Sequence, residues 1–150
     1  MTWAATALAT ACLSGLLTMS GCATTAQDRV AYREDAVSAL ESGLGETRAA
    51  ELAGRQWVEN RSTGPFARVV VGESESSLSG ELGWFGGLQP PTPAEDAVRQ
   101  EALDALDGAA AAVEDLRIAL ERADRVGTVL ALREVAAAAR GIEDLAEAMR

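Results

Sequence analysis

A stripe of small apolar residues between Val98 and Ala123 constrains the fold of this chain more than any other feature. Its members recur in steps of three and four, the spacing of a helix that packs lengthwise against another helix. They are Val98, Ala102, Ala105, Ala109, Val113, Leu116, Leu120 and Ala123. Because alanine side chains are short, the stripe allows helices to approach closely. It predicts a helical bundle or an α-hairpin with an Ala-rich seam.

The first helix of this hairpin has a clear start signal. Thr92-Pro93-Ala94-Glu95 has the form of a capping box, with proline at the first helical position, where its missing N–H costs nothing. The seam loses its phase after Ala123, and a new stripe runs from Leu132 to Met149. These observations predict helices over about 93–125 and 129–149.

The predicted turn between these two helices lies at 126–128. Gly127 is expected to adopt the left-handed conformation that ends a helix, and Thr128 is expected to cap the next one.

A further helix is predicted over about 27–57. Apolar residues recur there at helical spacing, with charged residues between them. They are Val30, Val37, Leu40, Leu44, Ala49, Leu52, Ala53 and Trp57. Gly43 and Gly45 each cost about 1 kcal/mol relative to alanine in a helix, so we expect a weak point there.

The segment 58–92 differs in composition, since it is rich in glycine, serine and proline. The β-branched run Phe66–Val71 is typical of a strand, and Leu82–Phe85 could pair with it. We therefore expect an irregular loop or a small β-hairpin, which leans on the helices through its aromatic residues.

Together these elements predict a mainly α protein with a single small domain over 27–150. Alanine buries little apolar area, so a hairpin alone would be marginal. We expect the 27–57 helix to fold back and complete a three-helix bundle within one chain. The alternative is a four-helix arrangement of two paired chains.

Charge and composition exclude several functions. The chain has 23 acidic and 13 basic residues, all of the latter arginine, and a net charge of -10, so nucleic acid is not expected as a partner. It lacks histidine, and neither of its two cysteines, Cys12 and Cys22, is expected to be a free thiol in the mature protein, so the commonest catalytic bases and nucleophiles are missing. No catalytic residue, metal or cofactor is predicted. The acidic pairs Glu73/Glu75, Asp104/Asp107 and Glu143/Asp144 are expected to be solvated surface.

The N-terminal residues have the pattern of a membrane-targeting signal. Met19-Ser20-Gly21-Cys22 closes an uncharged, largely apolar run that starts at Trp3, and polar sequence follows. This box resembles that of bacterial lipoprotein signals, which has an aliphatic residue, two small residues and a cysteine, although Met19 replaces the usual leucine and no basic residue precedes the run. The resemblance implies that 1–21 is a signal peptide, that Cys22 is acylated, and that 22–26 is a tether.

The residues after Cys22 resemble the junctions of outer-membrane lipoproteins. Ala23 in place of aspartate implies a lipid-anchored protein of a Gram-negative outer membrane that faces the periplasm, with the bilayer as its first partner. Two alternatives stay open, namely an uncleaved transmembrane helix over 3–21 and acylation at Cys12.

One short stretch is a candidate for partner docking. Trp84, Phe85 and Leu88 combine bulky apolar side chains with flexible glycines. The competing interpretation is that they fill the end of an alanine-rich core.

The leading functional hypothesis is a non-catalytic envelope lipoprotein, which acts as a structural or adaptor protein and contacts an envelope partner through its helices. The alternative is an envelope enzyme or enzyme inhibitor that uses the acidic surface and the 59–91 loop.

Overall fold

The computed structural model describes residues 28–150, which form four helices. They are α1 (Arg29–Val58), α2 (Gly64–Gly87), α3 (Pro93–Glu121) and α4 (Arg125–Met149). Each helix packs against its neighbours in the chain, α4 closes the ring against α1, and α1 also touches α3 across the diagonal. The short connections make successive helices antiparallel, so the described chain is an up-down-up-down four-helix bundle.

The prediction of a mainly α bundle is confirmed, but the predicted loop or β-hairpin over 58–92 is wrong. The described residues contain no strand, and α2 occupies most of that segment. Thr63 caps α2 by accepting a hydrogen bond from the Phe66 N–H, and a proline lies in the first turn. Burial of a helical stripe then outweighs the strand propensity of the β-branched run. That stripe is Ala67, Val71, Ser74, Leu78 and Phe85.

The fourth helix corrects the expected three-helix bundle. As predicted, α1 packs on both α3 and α4 within one chain. The addition is α2, which lies between α1 and α3 and completes the ring, so the apolar stripes of all four helices share one core.

The predicted weak point in α1 is also wrong, because the helix runs unbroken through Gly43 and Gly45. Gly43 is buried, and a Cβ atom placed on it would lie 2.3 Å from Cδ2 of Leu106. Its missing side chain therefore makes room for the diagonal contact of α1 with α3. Gly54 has a similar role near Leu116 and Leu132, 3.0 to 3.2 Å from the corresponding position.

The turn between α3 and α4 lies at 122–124 rather than at 126–128. Ala123 takes the left-handed conformation, with φ of 51°, and the Asp124 side chain caps α4 by accepting from the Gly127 N–H. Gly127 thus lies inside the first turn of α4. Thr128 is buried and donates its hydroxyl to the Asp124 carbonyl at 2.7 Å, so it does not cap the helix.

Candidate functional site

The predicted acylation site, Cys22, lies outside the described residues, together with the rest of the lipobox and the 22–26 tether. The described residues begin at Asp28, so they show which surfaces of the bundle lie near the start of α1. We call the end where α1 and α3 begin and α2 ends the Phe85 end. The opposite end, where α2 and α4 begin, is the Trp57 end.

Two members of the acidic pairs form ion pairs between helices. Glu75 on α2 accepts from Arg117 on α3, and Glu143 on α4 pairs with Arg48 on α1 at 2.6 Å. Asp104 accepts instead from Gln100 on its own helix. Within residues 28–150, no group of three or more potential metal ligands occurs.

The core at the Phe85 end contains an aromatic pair. The rings of Tyr32 on α1 and Phe85 on α2 are fully buried, with centroids 5.6 Å apart. Burial raises the pKa of Tyr32, and its hydroxyl has no hydrogen-bond partner among the described residues. The sequence pattern did not identify Tyr32 as a core residue. The predicted apolar stripe of α1 was placed on Val30 and Val37, and Tyr32 does not lie on the helix face that these two valines define.

A buried carboxylate joins the starts of α1 and α3. Glu95 is fully buried, and it accepts from Arg29 at 3.1 Å and lies 3.5 Å from Arg33. The Thr92 hydroxyl also donates to it. The Thr92 contact lowers the pKa of Glu95 most, burial acts in the opposite direction, and the two arginines lower it further. Thr92 caps α3 as predicted, by accepting from the Ala94 N–H, whereas the glutamate of the predicted capping box binds the Thr92 hydroxyl and the arginines of α1.

The three docking candidates occupy different environments. Phe85 is fully buried, as the core-filling interpretation expects, and Leu88 is half-buried against the core. Trp84 is 47% exposed, with its ring centroid 6.4 Å from that of Phe85. Of the three, only Trp84 presents a large surface to a partner.

An open groove of about 480 Å³ lies beside α1, next to the end of α4. Arg150, which follows α4, pairs with Glu41 at 2.6 Å, so α4 ends level with a residue twelve positions after Arg29 in α1. The groove has apolar patches and charges of both signs. Its lining is Val30, Arg33, Glu34, Val37, Ser38, Glu41, Met149 and Arg150.

At the Trp57 end, one arginine on α4 contacts the end of α1 and the residues that follow it. Arg125 lies 5.5 Å from the centre of the Trp57 ring, donates to the Val58 carbonyl and contacts Asn60 at 3.1 Å. These contacts join the start of α4 to the end of α1. Nearby apolar residues remain exposed on α2 and α4, namely Phe66, Val69, Val126, Val129 and Leu130.

Comparison with known proteins gives no relative. No family model, no curated protein and no solved structure matches the chain. Among the described helices, none is both long enough and apolar enough to cross a membrane.

Proposed function

We propose that this protein is a non-catalytic lipoprotein of the cell envelope, held at a membrane by acylated Cys22 and acting as a structural or adaptor protein. The observation that carries the proposal is the box Met19-Ser20-Gly21-Cys22, which is followed six residues later by Asp28, the cap of α1. A short polar tether between an acylation signal and a folded bundle is the arrangement that a surface-anchored domain requires.

The adaptor role is supported by the surface of the Trp57 end. Phe66 and Val69 on α2 are 55% and 58% exposed, and Val126 and Leu130 on α4 are 72% and 53% exposed. Each pair is spaced by three or four residues, so its members share one face of a helix. Exposed apolar pairs of this kind suit contacts with the helices of an envelope protein.

Acylation is tested by expressing the full chain in a Gram-negative host that is fed an alkyne-bearing fatty acid. We expect wild type to incorporate the label and to fractionate with the outer membrane. Cys22→Ala should lose the label, while Cys12→Ala, the matched control, should keep it. Label that persists in Cys22→Ala, or that is lost in Cys12→Ala, would contradict the assignment of the acylated residue.

The adaptor role is tested by crosslinking in the native membrane, followed by capture of the lipoprotein. We expect a defined envelope protein to be crosslinked to wild type and to be lost in Val126→Asp. Glu114→Gln, an exposed change on α3, is the control and should retain the partner. Equal capture by both variants would argue against a contact through the start of α4.

The alternative function, an envelope enzyme or inhibitor, has less support than the adaptor role. The long 59–91 loop that it requires is absent, because α2 occupies most of that segment. The acidic surface remains, with a net charge of -10. Turnover of peptidoglycan fragments, or capture of a cationic envelope enzyme by the wild-type protein, would favour this alternative.

A further inference from the structure

An uncharged run at the Phe85 end is the surface feature that the proposed function leaves unexplained. Residues 82–94 contain no charged side chain, although 24% of the residues in the chain are charged. This run forms the last turns of α2, the connection to α3 and the first residues of α3. Because the run itself has no charge to desolvate, it can enter a headgroup layer at low cost.

Trp84 projects from this part of the molecule. Its side chain is 47% exposed, and the residues one turn away on either side are Gly80 and Gly87. A Cβ atom at either glycine would have nothing within 4 Å, so the helix surface on both sides of Trp84 is open. Tryptophan is enriched at membrane interfaces, where its ring is apolar and its N–H finds a polar partner.

The chain places this surface next to the predicted lipid anchor. Asp28 follows Cys22 by six residues, which span at most about 20 Å when fully extended. Tyr32 follows Asp28 by four residues, and its ring packs against that of Phe85, the neighbour of Trp84. An acyl chain on Cys22 therefore holds Trp84 within reach of the headgroups.

We propose that the Phe85 end docks on the lipid surface, with Trp84 and the 82–94 run in the headgroup region. This docking rests on the proposed anchor at Cys22. A lipid surface fits better than a protein partner here, because so short a tether keeps this end beside the bilayer. The net charge of -10 offers no attraction to anionic headgroups, so the contact depends on the indole and the uncharged tip.

The test measures quenching of a single tryptophan in the full-length lipoprotein, reconstituted in phosphatidylcholine vesicles that carry a nitroxide on a fraction of their headgroups. The first probe protein carries Trp3→Phe and Trp57→Phe, so Trp84 alone emits. The second also carries Trp84→Phe, together with Val126→Trp. Val126 is 72% exposed at the Trp57 end, so the second probe is at least as open to solvent as Trp84 but lies about 30 Å away along the bundle.

We expect both proteins to float with the vesicles, and we expect headgroup nitroxides to reduce Trp84 emission about twofold while emission from position 126 is unchanged. If both proteins float and both or neither are quenched, the docking is overturned and the anchor stands. If neither floats, the anchor is contradicted, and the docking that rests on it falls as well. A thermal melt of each protein, followed by its helical circular dichroism signal, verifies that the substitutions leave the bundle folded.

Discussion

At the scale of single residues, Glu95 shows how one side chain can join the cap residue of its own helix to a neighbouring helix. It is fully buried at the start of α3, yet Thr92, Arg29 and Arg33 all contact its carboxylate. A buried charge is stable only when such partners replace the lost water. The carboxylate therefore ties the first turn of α1 to the first turn of α3.

Glu95→Gln is expected to lower the melting temperature at neutral pH. The pKa of Glu95 is below its ordinary value in the folded chain, so its stabilisation is present above the unfolded pKa and is lost as the pH falls through the folded value. The difference in melting temperature between wild type and variant should be largest near pH 7 and should shrink below about pH 4.

Thermal melts followed by circular dichroism between pH 7 and pH 3 measure this difference. Glu114→Gln, an exposed carboxylate on the same helix, serves as the control and should change little at any pH. A difference for Glu95→Gln that does not vary with pH would show that the shape of the side chain matters and its charge does not.

At the scale of helices, glycine has opposite effects at two positions of α1. Gly43 faces Leu106 across the diagonal of the bundle, whereas a Cβ atom on Gly45 would meet nothing within 4 Å. The same residue type thus permits close packing at one site and only lowers helix propensity at the other.

We expect Gly43→Ala to destabilise the protein by about 1 to 3 kcal/mol, because the new Cβ atom would force the fully buried Leu106 side chain to shift within the core. Gly45→Ala should instead stabilise it by roughly 0.5 to 1 kcal/mol through helix propensity. Urea unfolding of both variants gives the two free energies. Equal effects of the same sign would mean that the diagonal contact is looser than the structure shows.

How much of each helix could be predicted depended on how local its signals are. The start of α3 was found because Thr92, Pro93 and Glu95 act within one turn. Predictions were wrong where contacts between residues distant in sequence decide the local structure. Ser74 occupies a core position of α2 that no hydrophobicity pattern marks, and Ala123 takes a left-handed conformation that sequence assigns to Gly127.

In the candidate site, too, local features could be predicted and long-range contacts could not. Phe85 was foreseen as either core or docking residue, and only the packing of α2 on Tyr32 separates it from exposed Trp84. The Glu95 contacts to Arg29 and Arg33 join residues more than sixty positions apart, and no local pattern encodes such a pairing.

At the scale of the whole molecule, the four helices share one core, so a destabilising substitution in one helix should lower the stability of all four. Leu120 is 1% exposed near the end of α3. We expect Leu120→Asp to lower stability by more than about 3 kcal/mol, because it buries an unpaired charge, and to melt all four helices together. Val126→Asp, at an exposed site, should leave melting nearly unchanged; partial loss of helix in Leu120→Asp would instead indicate separate folding units.

The antiparallel order of the bundle has a consequence for its reach. The connections 59–63 and 122–124 lie at the end opposite Asp28, and α1 alone has 30 residues, about 45 Å at 1.5 Å per residue. If the chain is anchored through Cys22, as proposed, the length of the helices sets the distance between the lipid and a partner bound at the Trp57 end. Seven residues added to every helix would preserve the packing faces and extend that distance by about 10 Å.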